Sequence, residues 1–125
     1  MKFRSKVLQY FQSTTLKSFL ISRYFCTYKF KSRNVTDFQM IAVHPDARGL
    51  GLATDLVKRS VQLATCLGFV GCKTEATGNY SKKAFLKCGF EIVSDIKYKE
   101  FKVDGKKPFA AIKEHEGVAF LAKQL

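Results

Sequence analysis

Apolar and polar positions from residue 34 onward follow two different periods. From Val35 to Val43 a mostly apolar run of Val35, Phe38, Met40, Ile41 and Val43 predicts a buried strand, ended by the turn His44-Pro45-Asp46. After Ala47-Arg48-Gly49-Leu50-Gly51, apolar side chains recur at Leu52, Ala53, Leu56, Val57, Val61, Leu63, Ala64 and Leu67. That spacing is close to the helical period and predicts an amphipathic helix with Gly68 as its stop. Phe69 to Thr74 is strand-like, and Asn79 is placed to cap a short helix that runs through Lys87 and closes at Gly89. Phe90 to Tyr98 alternates as a strand with Ile92 and Ile96 on one face, Asp104-Gly105 marks a turn, and Val118 to Ala122 predicts a last short strand. The order strand, helix, strand, helix, strand, strand is that of an α/β chain, and it contains no internal repeat.

Residues 1–33 are of a different kind. They hold eight basic side chains (Lys2, Arg4, Lys6, Lys17, Arg23, Lys29, Lys31, Arg33) and no acid, whereas the remainder carries fourteen basic and ten acidic groups. Two thirds of the formal charge of +12 therefore sits in the first quarter of the chain. Composition changes abruptly near Asn34, which places a boundary between a basic divergent leader, 1–33, and a domain, 34–125. A basic, Ser-rich, acid-free start is also how a mitochondrial transit segment reads; the alternative is a leader that packs as an ordinary helix or strand. No apolar run reaches the length needed to span a bilayer, since Leu20-Ile21 is soon interrupted by Arg23. No membrane role is expected, and the cytoplasm is the default compartment.

With 125 residues the chain suffices for one domain and not for a multidomain enzyme. The net positive charge suits an anionic partner, yet the basic and aromatic residues of the leader match no nucleic-acid recognition module, so no nucleic acid is expected. Cys26, Cys66, Cys72 and Cys88 form no Cys-x-x-Cys pair and have no histidine at metal-finger spacing. They read as small buried hydrophobes, with neither a disulfide framework nor a metal site indicated. His44 and His115 are isolated in sequence and read as structural or surface residues.

One segment carries chemistry. A glycine-rich turn between a strand and a helix lets backbone N–H groups close on phosphate oxygens, and the helix N-terminus adds partial positive charge. Arg48-Gly49-Leu50-Gly51-Leu52-Ala53 sits where such a device must sit. It lacks the Lys-Ser/Thr ending of a nucleotide P-loop and the third glycine of a dinucleotide fold. Taken alone, its glycines read as no more than a tight turn.

It is not alone. The string from Val43 to Ala53, with Arg48, Gly51 and Ala53 at the positions of an Arg/Gln-x-x-Gly-x-Gly/Ala loop, is followed by Phe85-Leu86-Lys87-Cys88-Gly89-Phe90. Together they resemble the GNAT superfamily of N-acetyltransferases. Lys58-Arg59-Ser60, Thr77-Gly78-Asn79-Tyr80-Ser81 and the Asp104-Gly105-Lys106 turn resemble its insect-type arylalkylamine members, over roughly Val35 to Leu125.

The resemblance implies an acyl-CoA N-acyltransferase fold, a mixed sheet with splayed central strands. It implies acetyl transfer from acetyl-CoA, as cosubstrate and without a metal, to a small-molecule amine of the dopamine, serotonin, octopamine or tyramine type. Ile41 and Val43 match the strand that pairs with the pantetheine arm; the amides of Gly49, Leu50, Gly51, Leu52 and Ala53, with Arg48, match the pyrophosphate loop. The superfamily's frequent tyrosine acid falls at Phe85, which has no proton to donate. Ser81 matches a serine proposed as thiolate protonator in the insect-type enzymes, and Thr77 matches a supporting hydroxyl; the plainer role for both is to cap a helix or turn. The N-terminal strands and helices of full-length members, and their glutamate base, have no counterpart in residues 1–33. The expectations are therefore an amine acetyltransferase or, alternatively, a catalytically weak or inactive CoA-binding remnant, in either case prone to self-association through an exposed sheet edge.

Overall fold

In a computed structural model the chain divides into two compact units, residues 1–33 and 34–125. The structure describes residues 30–32 and 34–125. The predicted leader and Cys26 lie almost wholly outside the described residues.

The second unit runs β1 (Val35–Phe38), α1 (Leu52–Cys66), β2 (Gly71–Ala76), α2 (Asn79–Lys87), β3 (Glu91–Lys97) and β4 (Gly117–Gln124). Its four strands form one mixed sheet in the order β1-β2-β4-β3. β1 and β2 are parallel and joined through α1, whereas β4 lies antiparallel to both β2 and β3. The last strand is thus central and longer than its sequence signal. Gly117 opens it where only glycine fits, because a Cβ there would collide with the Ile96 carbonyl.

Both helices end in the same way. Gly68 and Gly89 adopt φ of +83°, and the following Phe69 and Phe90 amides bond back to the Ala64 and Phe85 carbonyls at 3.1 and 3.2 Å. The repeated Gly-Phe pair stops each helix and turns an aromatic ring inward. Phe90 meets Phe85 edge to face at 5.0 Å, and Phe38 packs on both at 6.1 to 6.3 Å. The core joins Val57 and Ala64 of α1 and Phe85 of α2 to Cys72, Ala76, Ala119 and Leu121. By strand register those sheet residues share one face, so both helices cover the same side. Asp37, Lys73, Glu75, Phe120 and Ala122 occupy the other.

Three expectations change. The first strand stops at Phe38 rather than Val43, because β2 beyond Thr74 pairs with β4 alone. The Thr74 hydroxyl, 2% exposed, donates to the Phe38 carbonyl at 2.7 Å, which leaves Gln39 to Val43 free to part from the sheet. Ile92 and Ile96 fall on opposite faces, because an irregularity between Ile92 and Ser94 shifts register: Ile92 faces Leu121 while Ile96 faces Val118. The apolar stripe of α1 is only half used. Val57 and Ala64 are buried, but Leu52, Leu56, Leu63 and Leu67 stay exposed.

Candidate functional site

The parting of β1 from β2 opens an apolar groove of about 340 Å³ lined by Phe38, Met40, Ile41, Ala42, Leu56, Val57, Ser60 and Phe85. Its walls are the chain that leaves β1, the outer side of α1 and one residue of α2. Ile41 lines it directly; Val43, half-buried two residues on, does not.

At one end of this chain segment lies the glycine loop. His44 caps a 3-10 turn over Pro45–Ala47 by accepting from the Asp46 amide at 3.3 Å, and the Arg48 amide closes the turn on the Pro45 carbonyl at 3.3 Å. Gly49 and Gly51 then take φ of +79° and +73°, the left-handed region that favours glycine, and Gly51 is the N-cap of α1 without a capping side chain. Among the described residues, no backbone carbonyl or side chain accepts from the amides of Gly49, Leu50, Gly51, Leu52 or Ala53. Arg48 is exposed and, among the described residues, has no carboxylate partner. Five open donors, a helix N-terminus and a guanidinium make a receptor for a phosphate-type anion. The residues present therefore fit the pyrophosphate of CoA.

A second polar cluster surrounds the start of α2. Ser81 is half-buried and donates to the Gly78 carbonyl at 3.0 Å, while the Thr77 carbonyl accepts from the Tyr98 hydroxyl at 2.6 Å. Asn79 does not cap its own helix. It is the first helical residue, Gly78 is the N-cap, and the Asn79 side chain accepts from the Glu116 amide at 3.2 Å. The cap comes from His115, whose Nδ1 accepts from the Asn79 amide at 3.1 Å. That bond requires the neutral tautomer with its proton on Nε2. Tyr80 stands edge-on to the His115 ring at 6.1 Å. Sequence reasoning set His115 aside because Asn79 offered a local cap; the N-cap falls instead on Gly78, which has no side chain to supply one.

Ser81 and Phe85 are one turn apart on α2 and so share a helix side, and Phe85 lines the groove. Ser81 itself does not line the groove, and Thr77 is exposed and enters this cluster through its backbone carbonyl, while the glycine loop stands on α1. Lys82 pairs with Asp95 of β3 at 2.9 Å and fixes the helix against the sheet. Of the cysteines, Cys72 is buried, Cys88 half-buried and Cys66 exposed, so the last is not the core residue expected. No helix among the described residues is long and apolar enough to cross a membrane.

Residues 21–90 match the model of the acetyltransferase (GNAT) family. That match begins ahead of the boundary drawn at Asn34. Among solved structures the chain is similar to arylalkylamine N-acetyltransferase 2 from Aedes aegypti, at 25% identity over 99% of this chain and 61% of that one, with a TM-score of 0.69. It is similar to a mosquito arylalkylamine N-acetyltransferase like 5b at 27% identity, over 71% of this chain and 42% of that one, with a TM-score of 0.62. It shares the fold of a Drosophila melanogaster polyamine N-acetyltransferase that forms N-acetylagmatine, at 20% identity over 88% and 53% of the two chains and a TM-score of 0.66. The chain spans less than two thirds of the length of each of these relatives.

Proposed function

Because the chain belongs to the acetyltransferase (GNAT) family, we propose that it transfers acetyl from acetyl-CoA directly to the primary amine of an arylalkylamine of the dopamine, serotonin, octopamine or tyramine type. Bound acetyl-CoA supplies the reactive thioester. The open amides from Gly49 to Ala53, with Arg48, hold the pyrophosphate, and these unclaimed donors beside parted strands are the observation that carries the assignment. The backbone of Gln39 to Val43, released from the ladder at Phe38, pairs with the pantetheine amides, and the apolar groove shelters the arm from water. Ser81 turns its hydroxyl from the Gly78 carbonyl to give a proton to the departing thiolate, and Thr77 keeps that turn in place.

Titration of the chain with acetyl-CoA by calorimetry tests the reading, and absence of binding at millimolar concentration overturns it. Thiol release with tryptamine and with agmatine in parallel then assigns the amine class, since a relative of the same fold acts on agmatine. A second reading, a CoA-binding domain with little or no turnover, is favoured by Phe85, a buried ring without a proton to donate at the position of the superfamily's frequent tyrosine acid. Binding without thiol release supports it. The exposed leucines of α1, beside a strand that is the sheet's edge among the described residues, support self-association as a further property.

A further inference from the structure

We propose that Glu75 is the general base that takes a proton from the incoming ammonium group, the amine arriving from the sheet face opposite the helices. This rests on the acetyltransferase assignment above and adds to it a proton acceptor beside the parted strands.

Glu75 is the first residue of β2 past the last rung shared with β1, where Phe38 faces Thr74. The place beside it in the sheet, which Gln39 would fill if the ladder continued, is vacated as the chain turns away. On β2, Cys72, Thr74 and Ala76 are buried on the helix side, so Lys73 and Glu75 point to the opposite face. The groove that receives the thioester arm is lined from the helix side by Leu56, Val57, Ser60 and Phe85. Ser81 stands on that side too. A carboxylate beside the parting of the strands and a hydroxyl on the helix that lines the groove through Phe85 thus lie on opposite sides of the sheet, the arrangement direct transfer requires: the base meets the amine as it enters, and the acid meets the sulfur as it leaves.

Among the described residues, the charged groups that face Glu75 are few. Asp37 of β1 is drawn to Lys73 at 3.6 Å, and the β4 residues on that face, Phe120 and Ala122, do not titrate. Partial burial and then the Asp37 carboxylate push the Glu75 carboxyl above the ordinary carboxylate range, against the pull of Lys73. A carboxylate moved in that direction is a better proton acceptor near neutral pH. The step balances. Glu75 takes one proton from the ammonium; the amine nitrogen forms its bond to the acetyl carbon as the carbon–sulfur bond breaks. The nitrogen's second proton reaches the thiolate by way of the Ser81 hydroxyl, and Glu75 returns its own to solvent.

The test compares the full chain with Glu75→Gln and Glu75→Asp, measuring acetyl-CoA binding, tryptamine acetylation from about pH 6 to pH 10, and the Glu75 carboxyl signal by carbon-13 NMR. Expected are unchanged acetyl-CoA binding in all three chains and a loss of about 100-fold or more in kcat/KM for Glu75→Gln. That loss should shrink at high pH, where the amine is already neutral, and Glu75→Asp should recover part of the rate. In the wild-type chain the Glu75 signal should shift on adding tryptamine in the presence of CoA. A wild-type chain that binds no acetyl-CoA overturns the family reading itself. One that binds but acetylates nothing at any pH, a Glu75→Gln chain with an unaltered pH profile, or a Glu75 signal indifferent to tryptamine overturns the base assignment alone.

Discussion

The imidazole of His115 accepts, through Nδ1 at 3.1 Å, the hydrogen bond of the Asn79 amide, so that a residue 36 positions away caps α2. Gly78 makes the approach possible. A Cβ at that position would lie 3.1 to 3.4 Å from the ring atoms. His115→Ala is expected to destabilise the chain by about 1 kcal/mol, the usual worth of a lost N-cap, lowering the melting temperature by about 4 to 8 °C. Gly78→Ala should act through the same contact. The double variant is then expected to lose less than the two single losses combined, and thermal denaturation of the four chains measures the difference.

Arg48 and Gly51 separate binding from folding. Arg48 is exposed on the loop and, among the described residues, has no side-chain hydrogen bond or ion pair, so Arg48→Ala should leave the melting temperature unchanged and weaken acetyl-CoA binding by about 10-fold or more, the loss of a charged contact to phosphate. Gly51 holds φ of +73° with open space around it. Gly51→Ala therefore strains the backbone without a clash. It should cost about 1 kcal/mol of stability as well as affinity. Binding calorimetry at two salt concentrations, with a thermal melt of each chain, checks both, since salt screens the full charge of the guanidinium more than the partial charges of the amides.

Both helices and their stops are legible in the sequence because the signals are local: a helical period followed by Gly68-Phe69 in one case and Gly89-Phe90 in the other. The glycine loop is legible for the same reason. The length of β1 is not, since Met40, Ile41 and Val43 are as apolar as a strand demands and the strand ends only because its partner turns to β4. Nothing around Val93 announces the irregularity that sends Ile92 and Ile96 to opposite faces. His115 and Glu75 acquire their surroundings from strands and loops distant in sequence, so neither carries a signal of its own. The α1 period shows where apolar groups lie, but not whether anything covers Leu52, Leu56, Leu63 and Leu67.

Thr74 secures the point at which the strands part. Thr74→Val keeps the shape of a buried side chain and deletes its donor, leaving the Phe38 carbonyl without the bond it now accepts at 2.7 Å. The expected cost is about 1 to 3 kcal/mol, read as a shift in the urea midpoint. An unshifted midpoint would mean that the parting needs no such latch.

The thiols should react in a fixed order. Burial pushes the Cys72 thiol up to about 11 against the lowering effect of Lys123, and burial also raises Cys88. Cys66 is exposed on the last turn of α1. Near pH 8 the thiolate form of Cys72 is scarce as well as enclosed, so iodoacetamide followed by peptide mass mapping should label Cys66 well before Cys72 or Cys88. Raising the pH toward 10 should narrow the gap for Cys88 before Cys72, whose burial persists.

Leu52, Leu56, Leu63 and Leu67 line one side of α1, with Leu63 and Leu67 60% and 65% exposed. Arg59, held by Asp55 at 2.8 Å, is the charge on that side. The stripe adjoins the groove through Leu56 and continues to Met40, 91% exposed, beside an edge strand of the sheet among the described residues. An apolar band next to open backbone donors and acceptors favours association of copies, and the modest positive charge of residues 34–125 opposes it only weakly. Size-exclusion chromatography should therefore show an apparent mass that rises with concentration. Leu63→Lys with Leu67→Lys places two charges in the band at positions that contribute little to the core, so folding stability should change by no more than about 0.5 kcal/mol for each while the elution moves toward the monomer. Val57→Lys serves as the contrast: on the same helix but 2% exposed, it should unfold the domain. If the double lysine variant elutes as the wild-type chain does at every concentration, association through this band is wrong, and the leucines are then no more than exposed apolar residues.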